Sequence, residues 1–337
     1  MKNYLYLPIV ILLSLVLGWY IHSFFEIRDT GLEKAAEKII PRPLDKYSIE
    51  NLSELSIKPV AIEKGETIKE TPDYTSFLFY FSFDPTLSNK AAKKVSGQIN
   101  IPKGQGPFPL VIMFRGYVDQ KIYKTGTGTQ RAAEYFASNG YITLAPDFLG
   151  YAGSDPEAGN IFESRFQTYT TALVLLASLP SIKDWDSQNV FIWAHSNGGQ
   201  IALTLLEITQ RQIPTVLWAP VSKPFPYSIL YYTDESEDRG KLIRHELADF
   251  ERLYDPDLYA IDRYYDRINA PLELHQGTVD DAVPVEWSDS LSKSLKDLEK
   301  DIAYFKYPGA DHNLNPAWNT VVARNLLFFN QDLTKAD

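Results

Sequence analysis

Short apolar runs alternate with helix-like segments after residue 109, and this alternation is the strongest constraint on how the chain can fold. The runs PLVIMF, YITLAP and NVFIWA are continuous and apolar, which is typical of strands buried on both faces. PTVLWAP, PLELHQG and IAYFKYP continue the series, with helical segments between most of them. Strands that alternate with helices form crossover connections. The sequence therefore predicts an α/β protein whose mostly parallel sheet is covered by helices on both faces.

The remaining sequence suggests three parts and one insertion. Residues 1–25 are predicted as an N-terminal anchor or signal segment, and residues 26–70 as a mixed, charged linker or stalk. Residues 71–337 are predicted as the folded domain, beginning with the hairpin-like strands SFLFYFSF and VSGQINI. Within it, residues 222–267 interrupt the alternation and have helical spacing, which predicts a helical lid.

The N-terminal segment carries no formal charge from Tyr4 to Ile21 and has aromatic residues near both ends. Its length is about the minimum for a membrane-spanning helix. Since no small-x-small cleavage site follows, we expect a retained transmembrane anchor, with secretion after signal cleavage as the alternative. Lys2 and the α-amino group outnumber the positive charge after the segment, so the folded domain is expected outside the cytoplasm.

Composition excludes several classes of function. The 337-residue chain contains no cysteine, which rules out disulfides, thiolate catalysis and cysteine-based metal sites. Its formal net charge is −10 and it has no cluster of basic residues. Nucleic acid is therefore not an expected partner.

A serine lies where a predicted buried strand meets a predicted helix. In AHSNG, Ser196 is flanked two positions away by the small residues Ala194 and Gly198. A sharp strand-to-helix turn needs small residues there, because larger side chains would clash as the backbone doubles back. Ser196 is therefore the predicted nucleophile.

An acid and a base follow in the order that this type of site requires. Asp280 lies three residues after Gly277, at the end of a predicted strand, and Asp281 is the alternative acid. Of the five histidines, only His312 lies downstream of Asp280 in a loop that follows a strand. Parallel strands place such residues together at their carboxyl ends. His312 would take the Ser196 proton as the oxygen attacks a carbonyl, and Asp280 would hold the imidazole.

Two backbone N–H groups are expected to bind the developing oxyanion. One is that of Asn197, directly after the nucleophile, and the other is that of Tyr117, in the loop after PLVIMF. Gly116 would permit the close backbone approach, and Arg115 is expected to pair with a neighbouring carboxylate. The predicted pocket candidates in and near the lid are aromatic: Trp218, Phe225, Tyr227, Tyr231 and Tyr232.

Five strings together resemble the catalytic domain of the prolyl oligopeptidase family, within the α/β-hydrolase superfamily: PLVIMFRGY, APDFLGYAGSD, DSQNVFIWAHSNGG, HQGTVDDAVP and YPGADHN. The resemblance runs from about Lys94 to the C-terminus. It implies an α/β-hydrolase fold and serine peptidase activity on peptides, without metal or cofactor. The alternatives are a carboxylesterase or lipase-like hydrolase that acts on esters, and a catalytically silent binding protein on the same scaffold.

Overall fold

The computed structural model describes residues 15–23, 41–233, 236 and 238–333. The chain divides into two compact units, Met1–Pro43 and Leu44–Asp337. In the first unit, residues 15–23 are helical.

The prediction of a transmembrane anchor is corrected by this structure. Among the residues described, no helix is long and apolar enough to cross a membrane. The part of the predicted span before residue 15 lies outside the described residues.

One nine-stranded sheet forms the centre of the Leu44–Asp337 unit, in the order β1-β2-β3-β5-β4-β6-β7-β8-β9. The strands from β5 to β9 are parallel, and β1, β2 and β3 add an antiparallel edge beside β5. The sheet is therefore mostly parallel, as predicted. Its strands are β1 (Glu63–Glu70), β2 (Tyr74–Phe83), β3 (Lys93–Pro102), β4 (Phe108–Phe114), β5 (Ile142–Pro146), β6 (Trp185–His195), β7 (Thr215–Trp218), β8 (Leu272–Gly277) and β9 (Ile302–Tyr307).

Both faces of the sheet are buried, and β4 shows how its sequence achieves this. Leu110, Ile112 and Phe114 contribute to one apolar cluster, whereas Val111 and Met113 contribute to the other. Successive side chains of a strand point to opposite faces, so a continuous apolar run serves two cores at once.

Helices cover the two faces in the positions that the alternation predicts. They are α1 (Ile49–Ser53), α2 (Gln130–Ser138), α3 (Ile161–Ala177), α4 (Asn197–Thr209), α5 (Tyr227–Leu230), α6 (Lys241–Leu253), α7 (Val285–Asp297) and α8 (Trp318–Leu333). The apolar residues of α2 and α8 form one cluster with β4, β6 and β7, and those of α3, α4 and α7 belong to the other.

The segment expected to be a linker belongs in part to the folded unit. The compact unit begins at Leu44 instead of residue 71. Tyr47 is buried and its hydroxyl donates to Glu163 of α3 (2.9 Å). β1 pairs antiparallel with β2 as an edge strand, and seven of its eight residues are exposed. Its sequence, EKGETIKE, lacks the apolar alternation that marks a half-buried strand, which is why the pattern did not predict it.

The described part of the insertion at 222–267 contains helices, as its spacing predicts. Among these are α5, α6 and the 3-10 turns Pro256–Tyr259, Ile261–Arg263 and Tyr265–Arg267. Phe225, Phe250 and Tyr259 of the insertion pack against Phe162 and Phe166 of α3, with ring centroids 4.7–6.2 Å apart. Aromatic packing of this kind fixes the insertion firmly on the α3 side of the sheet.

Candidate active site

Ser196 occupies a strained turn between β6 and α4. Its backbone has φ 54° and ψ −120°, a conformation that L-residues rarely adopt. Its N–H donates to Trp218 O (2.9 Å), and its carbonyl accepts from Val221 N (2.9 Å). The start of the chain segment after β7 thus holds the serine backbone in place, and only 9% of Ser196 is exposed.

The glycines after Ser196 are required by close backbone approach. A Cβ on Gly198 would lie 2.1 Å from the carbonyl oxygen of Phe114, at the end of β4. A Cβ on Gly199 would lie 2.4 Å from Cβ of Pro220. Because neither contact is sterically allowed, these positions admit only glycine without a shift of the backbone.

Asp280 is anchored in the loop after β8 by four hydrogen bonds. Its Oδ1 accepts from the N–H groups of Ala282 (2.9 Å) and Val283 (2.8 Å). Its Oδ2 accepts from His312 Nδ1 (2.9 Å) and Gln276 Nε2 (2.8 Å). Burial acts to raise the pKa of this fully buried carboxyl, but the bonds from His312 and from the two backbone N–H groups outweigh it and lower the pKa.

His312 lies in the loop after β9, and a glycine of β8 lets that loop approach. A Cβ on Gly277 would lie 2.3 Å from Ala310 O and 2.5 Å from Asp311 O. His195, next to Ser196, lies 3.0 Å through Nε2 from the His312 carbonyl oxygen, and the two rings are 4.6 Å apart. Burial, then the neighbouring His312, lowers the pKa of His195 to about 4. At neutral pH the His195 ring is therefore uncharged, and its Nε2–H donates to that carbonyl.

The structure thus brings the predicted acid and base together and ties the His312 loop to the residue that precedes Ser196. The alternative acid, Asp281, is exposed. Ser196, Asp280 and His312 follow β6, β8 and β9, whose carboxyl ends lie on one edge of the sheet. Their catalytic roles remain predictions at this point.

The predicted oxyanion loop lies against the serine. A Cβ on Gly116 would be 3.0 Å from Ser196 Cβ and 3.5 Å from Ser196 Oγ. Asn197 is the first residue of α4, and Tyr117 follows Gly116 with 76% of its surface exposed. The two N–H groups stay the predicted oxyanion donors.

Within the described ranges, Arg115 does not form the expected pair with a carboxylate side chain. Its guanidinium donates to the carbonyl oxygens of Gly116 (2.9 Å) and Asp147 (3.1 Å) and lies 4.0 Å from the ring centroid of Tyr151. The Asp147 carboxylate instead accepts from the hydroxyls of Tyr123 (2.7 Å), Thr125 and Ser96. Arg115 therefore connects the loop that contains Gly116 to Asp147 and Tyr151.

The five aromatic pocket candidates separate into two groups. Phe225 is 2% exposed and Trp218 is 3% exposed, so each is a packing residue and not part of an open acyl pocket. Tyr227 and Tyr231 are 59% and 50% exposed. Tyr231 and Tyr232 form T-shaped contacts with each other and with Trp287, at centroid distances of 4.8–6.2 Å. Because Tyr232 also donates to Ala282 O (3.1 Å), this aromatic cluster adjoins the acid loop.

Sequence reasoning missed Gln276 as a supporting residue. Its amide donates to Asp280 and its Oε1 accepts from Ser288 Oγ (2.7 Å), so it links α7 to the acid. β8 reads LELHQG and contains three polar residues, so its sequence carries no signal that singles out Gln276. Among the residues that the structure describes, no group of three or more His, Asp or Glu side chains could hold a metal ion.

Known proteins share parts of this sequence and fold. The family model described as Serine aminopeptidase, S33, matches residues 110–236. The uncharacterized peptidase YtmA of Bacillus subtilis is 26% identical over 237 residues, which cover 69% of this chain and 87% of YtmA. Acetyl esterase Axe7A of Xylanibacter ruminicola is 23% identical over 272 residues, and the alignment covers 72% of this chain and 58% of Axe7A.

A solved structure shares this fold over most of the chain. Acetyl xylan esterase 1 from Thermoanaerobacterium sp. JW/SL YS485 superposes with a TM-score of 0.58 at 18% identity, covering 86% of this chain and 94% of the esterase. Peptidases and esterases thus both occur among the similar proteins, and the comparisons support the α/β-hydrolase superfamily without singling out the prolyl oligopeptidase family. With its sheet order and its serine turn, the chain is a serine hydrolase of the α/β-hydrolase type.

Proposed function

We propose that Ser196, Asp280 and His312 form a catalytic triad that hydrolyses carboxylic esters with a small acyl group. His312 takes the hydroxyl proton as Ser196 Oγ attacks the ester carbonyl, and the oxyanion accepts from the N–H groups of Asn197 and Tyr117. The proton then passes to the departing alcohol, leaving an acyl-enzyme. A water molecule repeats these steps, so that a carboxylic acid leaves and Ser196 is restored.

The observation that carries this proposal is the anchored Asp280–His312 pair. Asp280 fixes the His312 ring through Nδ1 at 2.9 Å, which leaves Nε2 as the nitrogen available for proton transfer. Since hydrogen bonds lower the pKa of Asp280, it stays ionised and stabilises the imidazolium that forms when Ser196 loses its proton.

Two features favour such esters, one beside the acyl group and one beside the alcohol portion. Ser196 is only 9% exposed and Gly116 lies directly against it, so the space beside the nucleophile is narrow. The aromatic cluster of Tyr231, Tyr232 and Trp287 beside the acid loop offers ring faces on which an alcohol portion can stack. The esterase names of Axe7A and of acetyl xylan esterase 1 agree with this choice.

The test compares acyl length and bond type in one protein. We expect p-nitrophenyl acetate to be hydrolysed with a higher kcat/KM than p-nitrophenyl octanoate, and Ser196→Ala to abolish both hydrolysis and fluorophosphonate labelling. Ser76→Ala is the matched control, because Ser76 is buried in β2 and its Oγ has no hydrogen-bond partner among the described residues. If Ser196→Ala is still labelled by the fluorophosphonate, the assignment of Ser196 as the nucleophile is refuted.

Peptide hydrolysis is the second candidate. The similarity to YtmA, named a peptidase and covered over 87% of its length, favours it. An aminoacyl p-nitroanilide distinguishes the two, because its scissile bond is an amide. If its kcat/KM exceeds that of p-nitrophenyl acetate, the peptidase assignment replaces the esterase assignment.

A further inference from the structure

The carbonyl of Gly116 and the N–H of Tyr117 belong to one peptide group, and Gly116 lies against Ser196. The C=O and N–H of a trans peptide point in opposite directions. The proposed oxyanion donor, the N–H of Tyr117, therefore points away from the group that binds the Gly116 carbonyl. That carbonyl accepts from Arg115 Nη1 at 2.9 Å. A charged side chain thus holds one end of the peptide whose other end is the proposed oxyanion donor.

Arg115 is buried, and its guanidinium is held in one orientation. Only 6% of the residue is exposed. Its Nη2 donates to Asp147 O (3.1 Å), and the guanidinium carbon lies 4.0 Å from the ring centroid of Tyr151 and 4.5 Å from that of Tyr123. The aromatic rings and the two carbonyl oxygens leave this planar group little freedom to move.

The loop between β4 and α2 closes over the stem of Arg115. Gly128 in this loop has φ +88°, and a Cβ there would lie 3.2 Å from Cβ of Arg115. Thr125 of the same loop donates to the Asp147 carboxylate (2.8 Å), which also accepts from the hydroxyl of Tyr123 (2.7 Å). Neutral hydroxyls therefore bind the Asp147 carboxylate, while the guanidinium binds carbonyl oxygens.

The charge of Arg115 is consequently available to the site. Buried charges in proteins are usually paired with an opposite charge, because burial removes them from water. In the described chain, the hydrogen bonds of Arg115 go to neutral carbonyl oxygens instead. A buried and unneutralised cation can stabilise a negative charge that forms nearby during a reaction.

We propose that Arg115 is a positioning residue of the oxyanion hole: it fixes and polarises the Gly116–Tyr117 peptide, so that the Tyr117 N–H binds the oxyanion more strongly. A cationic donor on the carbonyl oxygen draws electron density from the peptide, which makes its N–H a stronger donor. A fixed peptide plane also avoids the reorganisation that a mobile donor would need. The inference rests on the proposed function, in which this N–H is one of the two oxyanion donors.

The test compares Arg115→Met and Arg115→Lys in the full chain. Methionine keeps a long apolar stem and removes the charge and the donors, whereas lysine keeps the charge. The measurements are kcat and KM for p-nitrophenyl acetate, and Ki for phenyl trifluoromethyl ketone, whose adduct with the serine carries an oxyanion. We expect Arg115→Met to lower kcat and to raise Ki by about tenfold or more each, compared with roughly 100- to 1,000-fold for the loss of a whole oxyanion donor. Arg115→Lys should fall between wild type and Arg115→Met, with KM little changed in both.

The ketone separates a role in the oxyanion hole from a role in folding. A misfolded fraction lowers the apparent kcat, but the folded fraction keeps the wild-type Ki. A fall in kcat with unchanged Ki, or no change in either quantity, would therefore overturn the inference. If Arg115→Met fails to fold, judged by circular dichroism, Arg115→Lys decides.

Arg324→Met is the matched control. Arg324 also stacks on an aromatic ring, that of Phe305 at 3.9 Å, and donates to the Tyr307 hydroxyl (3.0 Å), but it belongs to α8. Its kcat and Ki should match the wild type. If the wild type neither hydrolyses the ester nor binds the ketone, the proposed function fails and this inference fails with it. Wild-type activity that Arg115→Met leaves intact overturns this inference alone.

Discussion

Replacing Gly277 with alanine should displace His312, the proposed catalytic base, although the new methyl group does not contact its ring. The new Cβ would lie 2.3 Å from Ala310 O, so that oxygen must retreat by about 0.7 Å to reach the 3.0 Å below which real Cβ contacts essentially never fall. Both clashing atoms are backbone oxygens of the loop that carries His312, and a side-chain rotation cannot relieve them. The displacement of the loop must therefore change the geometry of the 2.9 Å hydrogen bond between His312 and Asp280.

The expected loss is large in rate and moderate in stability. A misplacement of about 1 Å in a catalytic group can cost roughly 100-fold in rate, and overpacking typically costs about 1–3 kcal/mol of unfolding free energy. We expect kcat for p-nitrophenyl acetate to fall by about 100-fold, with KM changing little. Steady-state kinetics and urea unfolding measure the two effects.

Gly159→Ala is the control, because a Cβ at Gly159 meets no atom within 4 Å. It should leave both kcat and the unfolding free energy close to wild type. If Gly277→Ala keeps kcat within about threefold of wild type, the loop tolerates the displacement and the reasoning is refuted.

The other predictions concern Asp280, Gln276 and Glu207. Asp280→Asn should lower kcat by about 10⁴-fold, because the imidazole loses its orienting carboxylate, whereas Asp281→Asn at the exposed neighbour should stay near wild type; comparable losses would contradict the assignment. Gln276→Leu removes one of the four donors to Asp280 and should lower kcat more than it changes KM, measured with the same ester; a change in KM alone would argue against a positioning role. Glu207 of α4 is fully buried, its carboxyl oxygens have no described partner, and burial raises its pKa well above 4.5. The native state therefore binds its proton more tightly than the unfolded state, so stability is fully present below the unfolded pKa and falls as pH rises towards the native pKa. Glu207→Gln should remove that loss, so its advantage in unfolding free energy should grow by about 1.4 kcal/mol per pH unit from pH 4.5 up to the raised native pKa and then level off. A difference that does not vary with pH in denaturant titrations would refute this prediction.

The site shows which contacts no sequence pattern could reveal. The sequence places Gln276 only within a predicted strand, and its bond to Asp280 depends on how the acid loop folds back over β8. The sequence places His195 only next to Ser196 in the serine turn, yet its ring bonds the carbonyl of a residue 117 positions away. These partners meet because parallel strands bring distant segments to one sheet edge, and local periodicity carries no information on which segments meet.

β1 and the insertion show the same limit of sequence patterns at the level of the fold. β1 is mostly polar and exposed, so it forms through its backbone pairing with β2 and not through an apolar pattern of its own. The aromatic residues of the insertion were expected to line a pocket, but Phe225 instead fills the space between α3 and α6. An aromatic side chain in a sequence predicts burial or stacking, and only its neighbours decide whether it meets protein or ligand.

The sequence by itself determined the α/β alternation, the serine turn and the order of serine, acid and histidine along the chain. These depend on short-range rules, namely strand and helix periodicity and the need for glycine beside a sharp turn. Only the tertiary structure decided that Asp280 and not Asp281 meets His312, that Gly277 admits the His312 loop, and that Arg115 bonds the carbonyl of Asp147. Each of these is a contact between segments far apart in sequence, fixed by the strand order and by the close packing of the sheet edge.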